Sequence, residues 1–314
     1  MDALTYPEGM RFRHWLLIIV AAVGWGTGGI ATRAAFGEGV GAWTMVAVRT
    51  SIAALLVLAV LVVQRAELPS RQVVGYGVVQ AVFNLTIPYI LFTFAYDNAS
   101  AGFVGLLAAL IPLSTAVFAN FMLQDEPLTK AKLLALFIAF TGVAALLLSG
   151  DSGLAEGGRP FVAVGLGLTA VISIGYAGTF AKRHAGQYDP IMLTGLQFGL
   201  SAVVLVVAML AIEGVPVDVT AKGWGLMVFM SVSATFMPFL LFFWLLQYIS
   251  VTDASLIGYL VPFVALIGGI LILGEQLQSG IVVGGILVFT GMVLADRAGR
   301  KAAEAASHTA NDVA

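Results

Sequence analysis

No cysteine occurs among the 314 residues, so disulfides and thiolate metal or redox sites are excluded. Histidine is scarce too: His14, His184 and His308 all fall outside the apolar runs described below. Charge is thin. Charged residues make up 10% of the chain and hydrophobic ones 60%, whereas soluble domains carry about 25% charge. Such a chain has more apolar surface than a water-soluble fold can hide, and it needs lipid as solvent. The net charge of −2 and the dispersed basic residues imply no nucleic-acid partner. No Asp or Glu stands at mid-depth of an apolar run, which argues against a buried proton relay; loop-edge acids such as Asp97 and Asp253 keep proton coupling open. Catalysis would need a nucleophile with a base, or clustered acids for a metal. The stretch Ser149 to Ser152, SGDS, has no histidine partner, no metal-ligand set is found, and no cofactor is called for.

What is present is a series of long apolar runs. Crossing about 30 Å of hydrocarbon takes about 20 helical residues. Ten runs qualify: Trp15–Ala35, Trp43–Val63, Val73–Ala95, Gly102–Leu123, Lys132–Leu148, Phe161–Ala181, Ile191–Ile212, Trp224–Leu246, Ala254–Leu273 and Ile281–Ala295. The fifth and tenth are the shortest. The first follows Arg11, Arg13 and His14 as a signal peptide would, but it is too long for one and reads as a retained span. With the N-terminus cytoplasmic, the inner segments hold Arg11, Arg13, Arg65, Arg71, Lys130, Lys132, Lys182, Arg183, Arg297, Arg300 and Lys301, and the outer ones only Arg33, Arg159 and Lys222. This bias puts both termini on the cytoplasmic side of an inner membrane. The tail after Asp296 reads as a frayed helix end followed by disorder.

A repeat appears at a spacing of about 150 residues. SAGFVGLLAALIP, from Ser100, lies over SVTDASLIGYLVP, from Ser250; Pro88 matches Pro238, and Arg33 matches Arg183. With one residue deleted, Asp125-Glu126-Pro127-Leu128 meets Gly274-Glu275-Gln276-Leu277. The expected architecture is therefore an all-α integral membrane protein of ten transmembrane helices, in two five-helix repeats over 1–152 and 153–314. An odd number of spans per half turns the second repeat upside down. In transporters such inverted repeats flank a substrate site near the midplane and rock to alternate access. Pro88, Pro112, Pro238 and Pro262 stand near the middle of their spans, where each removes a helix hydrogen bond and frees a carbonyl. They are the expected kink or gating positions.

The first span contains VGWGTGGI, whose Gly24, Gly26 and Gly29 have the spacing of a dinucleotide-binding turn. That turn works only between a strand and a helix start, and neither exists here. Gly24 and Gly28, four apart, instead suit close helix contact or leave room beside Trp25.

With Trp25-Gly26 and Arg33 in the first span, Arg49 in the second, Leu110-Ile111-Pro112 ending a fourth-span run, and Glu-x-Leu elements at Glu126 and Glu275, the chain resembles the EamA branch of the drug/metabolite transporter superfamily over nearly its whole length. The resemblance implies ten helices, inverted five-helix repeats, a central substrate cavity and mostly export of small metabolites, amino acids among them. It names no substrate. The second half departs from the first: Gly175-Tyr176 stands where the first has Trp25, and Gln197 near the position of Arg49.

Arg49 is the leading site candidate, because its guanidinium suits a substrate carboxylate; the alternative is a structural arginine bonded to freed carbonyls. Trp25, Asn84, Tyr89, Tyr176, Gln197, Trp244 and Tyr259 are the other substrate-binding candidates, each with a polar tip on a side chain at span depth. Glu126 and Glu275, at loop edges, read as helix-end or gating residues. The function expected is a secondary transporter, an exporter of an amino acid or related metabolite, working in a lipid bilayer with proton or counter-substrate coupling. A membrane scaffold or channel is the alternative, and a membrane-embedded enzyme a weaker one. Oligomeric state is not readable.

Overall fold

The computed structural model describes residues 12–123, 128–155, 157–245 and 256–312, with side chains through 299 except at 243 and 256. Arg11, Glu126 and Asp253, and the side chains of Arg300, Lys301 and His308, lie outside the described residues. Among those described there is no strand. The helices are α1 (Phe12–Phe36), α2 (Ala42–Val63), α3 (Arg71–Asn98), α4 (Ala101–Met122), α5 (Lys130–Ser149), α6 (Pro160–Arg183), α7 (Pro190–Ile212), α8 (Ala221–Ser231, continuing through Val232–Phe236 to Met237–Leu245), α9 (Leu256–Leu273) and α10 (Ser279–Asp312). Nine of these described helices are long and apolar enough to cross a membrane, and a shorter apolar stretch, Ile257–Leu273, accompanies them.

Local chemistry sets the helix starts. Ser70, Ser100, Thr129, Asp189 and Thr220 each accept a hydrogen bond from the backbone N–H three residues on, which satisfies one of the orphan donors of a first turn. Pro160 and Pro190 open α6 and α7, where the missing N–H is no loss. Gly150, at φ 72°, ends α5.

Two expectations need correction. The fifth span is a full 20 residues, and the shortest described helix is α9. The tail beyond Asp296 is not a frayed end: α10 continues to Asp312, since the Ala-, Arg-, Lys- and Glu-rich sequence there favours helix.

Large apolar side chains such as Phe121, Phe137, Phe161, Leu271 and Ile286 point outward, while Ala21, Ala47, Ala53, Ala139 and Ala177 are buried. That distribution suits lipid, where small residues let helices approach closely. The pairing is regular. α1 packs on α8 and α9, α6 packs on α3 and α4, α2 pairs with α7, and α5 with α10. At the α5–α10 seam Gly142 faces the backbone of Gly284 and Val288.

The prolines act differently from one another. Ala81–Thr86 in α3 and Val232–Phe236 in α8 are π-turns, and each ends two residues before a proline, Pro88 or Pro238. A wide turn relieves the clash between the proline ring and the preceding carbonyls. In α4 the helix breaks at Ala109-Leu110, just before Pro112. Pro262 lies inside a continuous α9.

Candidate functional site

The π-turns expose backbone carbonyls, and the neighbouring helices answer them. In α3, Ser201 of α7 donates to the Ala81 carbonyl at 2.9 Å and Ser173 of α6 donates to that of Phe83 at 2.6 Å. Thr86 donates to Ser201 at 2.9 Å, and Asn84 donates to the Gln197 side chain at 3.0 Å. In α8 the partner is a cation. Arg49 of α2 donates through Nη2 to the Ala234 carbonyl at 3.0 Å and through Nε to Thr235 Oγ1 at 2.5 Å. Its guanidinium carbon lies 4.8 Å from the centre of the Tyr89 ring, a cation–π geometry. Gly28 of α1 faces this guanidinium: a Cβ there would lie in ordinary contact with Nη2, at 3.5 Å, and somewhat tighter, at 3.3 Å, against Ala234 Cβ.

One residue along α1, a Cβ on Gly29 would come within 2.6 to 2.7 Å of the Tyr96 ring and hydroxyl. Tyr96 also lies within electrostatic reach of Arg49. Arg49, Tyr89, Tyr96, Thr235 and the Gly28-Gly29 wall thus form a polar centre where α1, α2, α3 and α8 meet. A guanidinium there, laid on an aromatic face and backed by hydroxyls, can bind a carboxylate. Thr50, the next residue of α2, is fully buried and its hydroxyl has no hydrogen-bond partner.

The other sequence candidates are placed around this centre rather than in it. Asn84 and Gln197 form their own pair on the α3–α7 contact. Trp25 packs edge-on against Phe239, at 5.5 Å between ring centres, and against Phe242. Tyr176 packs on Phe83, Phe118 and Phe180. Trp244 lies beside His14 and Arg13 near the start of α1, and Tyr259 beside Phe289 of α10. An apolar cavity of about 250 Å³ between α4, α9 and α10, bordered by Leu106, Pro262, Phe263 and Phe289, shares no lining residue with the Arg49 centre. Sequence reading missed Tyr96 and Thr235. The only signal for Thr235 was its place three residues before Pro238.

The loops 37–41, 99–100, 150–159, 213–220 and 274–278 share one end of the bundle and are tied across it. Glu213 accepts from the Trp43 and Thr44 amides at 2.9 and 2.8 Å, capping α2. Glu38 pairs with Lys222 at 2.7 Å and accepts from Thr220, and the Lys222 hydrogen bond holds its carboxyl below the usual range. Arg33 meets Glu275 at 3.1 Å and donates to the Tyr96 carbonyl at 2.6 Å. Glu275 caps α4 by accepting from Ala101 N–H at 2.8 Å. Burial pushes its carboxyl up despite the opposing Ala101 and Gly102 amides and Arg33. The SGDS acid has a loop role: Asp151 accepts from the Gly280 amide. At the other end, Arg183, the sequence match of Arg33, is exposed. Among the described residues no group of three or more His, Asp or Glu is placed to hold a metal ion.

The chain is similar to several known proteins. YvbV of Bacillus subtilis strain 168, an uncharacterized transporter, is 24% identical over 79% of this chain and 80% of its own length. YoaV of the same organism, also an uncharacterized transporter, is 26% identical over 78% and 84%. PecM of Dickeya dadantii strain 3937 is 24% identical over 69% and 71%. A solved crystal structure, 16% identical in sequence, superposes with a TM-score of 0.61 over 93% of this chain and 99% of that one; it shares the fold. The model of the EamA-like transporter family matches twice, over residues 13–148 and 161–295. Together these matches span most of the chain, and the protein is a multi-pass membrane transporter belonging to the EamA-like transporter family.

Proposed function

We propose that this protein is a secondary transporter that carries a small carboxylate-bearing metabolite, an amino acid or a related compound, outward across the cytoplasmic membrane. Its two five-helix repeats, 1–152 and 153–314, are inverted, and their rocking alternates access to the Arg49 centre. The pairing supports inversion: α1 packs on α8 and α9 as α6 packs on α3 and α4, while α2 and α5 meet their own counterparts. The excess of Lys and Arg in the segments sharing a side with the N-terminus supports cytoplasmic termini.

One observation carries the reading. Arg49 spans the two halves, anchored on the π-turn of α8 and laid over Tyr89 of α3. Trp25, Asn84, Tyr176, Gln197, Trp244 and Tyr259 line or support the path, and Pro88, Pro112 and Pro238 supply the bends. A proton or a counter-substrate drives the cycle.

Purified protein in proteoliposomes, preloaded with one amino acid at a time and screened by competition, tests this. Saturable counterflow, with carboxylate analogues competing and their neutral amides failing, is the expected result. Flux that is unsaturable and shows no trans-stimulation means a channel, and no flux with any carboxylate rejects the reading.

A further inference from the structure

Only the short loop 274–278 joins α9 to α10, yet the two do not form a packed pair: α9 lies on α1 and α4, and α10 lies on α5. The apolar cavity of about 250 Å³ stands between them, floored by Leu106 of α4. Two glycines of α10 shape it. A Cβ on Gly284 would run into the Leu146 side chain and the Gly142 carbonyl of α5, so this glycine lets α10 close on its partner. Gly285 faces α4, where a Cβ would first meet the Leu106 side chain, at 3.1 Å. Bare backbone thus stands where a longer side chain would fill the gap.

The cavity is a slot open to the side. Leu106 and Ile281 on its inner wall are buried, whereas Phe263, Leu277, Val282 and Ile286 on its rim are exposed. Ile267, Leu271 and Val283 carry the same exposed apolar surface outward. In a multi-pass membrane protein that surface meets lipid, so the slot is continuous with the lipid interface. No charged or polar side chain lines it. Water would find no hydrogen-bond partner there, and a void would forfeit dispersion contacts along every wall. Hydrocarbon meets both conditions.

The depth of the slot selects the kind of hydrocarbon. It follows α10 from Ile281, beside the 274–278 loop, to Phe289, a rise of about 12 Å. One leaflet of a hydrocarbon core about 30 Å thick is about 15 Å deep. The match is to a single chain descending from headgroup level, whereas a helix of another subunit must cross both leaflets. The loop end of the slot is fixed in advance: Gln276 N–H donates to the Gly153 carbonyl at 3.0 Å, and the Gln278 side chain accepts from Gly153 N–H at 2.7 Å.

We propose that this slot binds one acyl chain of a bilayer phospholipid, which wedges between α9 and α10 and joins the α5–α10 pair to α4 and α9. Recognition is of the chain and not of the headgroup, because no charge borders the slot. The site is separate from the Arg49 centre, and it stands whatever the substrate.

Full-length protein in phosphatidylcholine nanodiscs, doped with a phosphatidylcholine that carries a diazirine on one acyl chain, tests this by irradiation and peptide mapping. Adducts are expected at Leu106 and Phe289 inside the slot, beside background adducts at outward residues such as Phe161 and Ile172. Gly285→Leu, which fills the slot, should lose the Leu106 and Phe289 adducts and keep the background ones. Val282→Phe, at the rim, should do the same and carries the test if Gly285→Leu fails to fold. A diazirine-bearing phosphatidylglycerol should label the parent equally well. In detergent stripped of lipid, added dioleoylphosphatidylcholine should raise the unfolding midpoint of the parent more than that of the filled variant, since a ligand of the folded state stabilises it. No Leu106 adduct in the parent, as a second copy of the chain seated over the slot would give, overturns the proposal. So do slot adducts that survive in a folded filled variant, labelling by phosphatidylglycerol alone, or equal rises in midpoint.

Discussion

Arg49 donates to the carbonyl of Ala234 at 3.0 Å, four residues before Pro238, which has no N–H to offer that acceptor. An arginine at mid-helix in a membrane costs at least about 2.5–3.5 kcal/mol by insertion scales. The Ala234 carbonyl, the Thr235 hydroxyl and the Tyr89 ring offset it. The structural reading raised by the sequence, an arginine bonded to a freed carbonyl, describes this contact; the substrate role of the same guanidinium is the one proposed above.

Arg49→Ala is expected to abolish amino-acid counterflow while the protein still inserts and elutes as a monodisperse species. Arg49→Lys, which keeps the charge but loses the planar fork, should lower transport at least about tenfold, the equivalent of about 1.4 kcal/mol. Full transport by a well-folded Arg49→Ala would remove the residue from the site.

Thr50 offers a test of stability. Its buried hydroxyl has no partner, and leaving such a group unsatisfied costs about 1–3 kcal/mol. Thr50→Val keeps the shape and removes the donor, so thermal unfolding in detergent should show an unchanged or higher midpoint. A clear drop means that a partner is satisfied there in the folded protein.

Glycine contacts should divide sharply. A Cβ at Gly142 would lie 2.7 Å from the Gly284 carbonyl and 2.8 Å from the Val288 amide, and backbone cannot step aside as a side chain can. Gly142→Ala should destabilise the α5–α10 seam by about 1–3 kcal/mol, the usual range for overpacking. Gly165, in α6, has nothing within 4 Å of a Cβ. Gly165→Ala should be neutral or gain up to about 1 kcal/mol through helix propensity. Equal unfolding midpoints for the two variants would contradict the packing.

The two loop acids give opposite pH dependences. Glu275 has a folded pKa above its ordinary value of 4.5, so the folded state binds the extra proton. Its contribution to stability is present below 4.5 and is lost as pH rises through the raised value. Glu38 is held below 4.5 by Lys222; its contribution is present above 4.5 and is lost as pH falls through the lowered value. Relative to the parent, Glu275→Gln should flatten the decline of the unfolding midpoint above pH 4.5, and Lys222→Ala should flatten only the acid limb below it. Changes in the reverse windows would show the assignments to be wrong.

Much of this protein could be read before any coordinate. Sixty per cent hydrophobic residues with 10% charge leave no soluble solution, and the apolar runs place the helices to within a few residues because a span must match the hydrocarbon thickness. The spacing of Pro88 and Pro238 marked where α3 and α8 would depart from regular helix. It did not say how, since a π-turn, a kink and an unperturbed helix such as that around Pro262 all share the same local sequence cue. The end of α10 was misjudged because a polar, alanine-rich tail reads equally as solvated coil and as helix.

Composition and span length by themselves determined the membrane class and most of the helix positions, because each depends on local sequence and on the solvent, while motifs such as Trp25-Gly26 and Leu110-Ile111-Pro112 carried the resemblance to a transporter family. Only the tertiary structure decided which partner answers which carbonyl. Arg49 lies 185 residues from Ala234 and Arg33 lies 242 from Glu275, and no local rule joins residues that far apart. Helix packing brings them together, and burial then makes a hydrogen bond or an ion pair the only inexpensive way to keep them there.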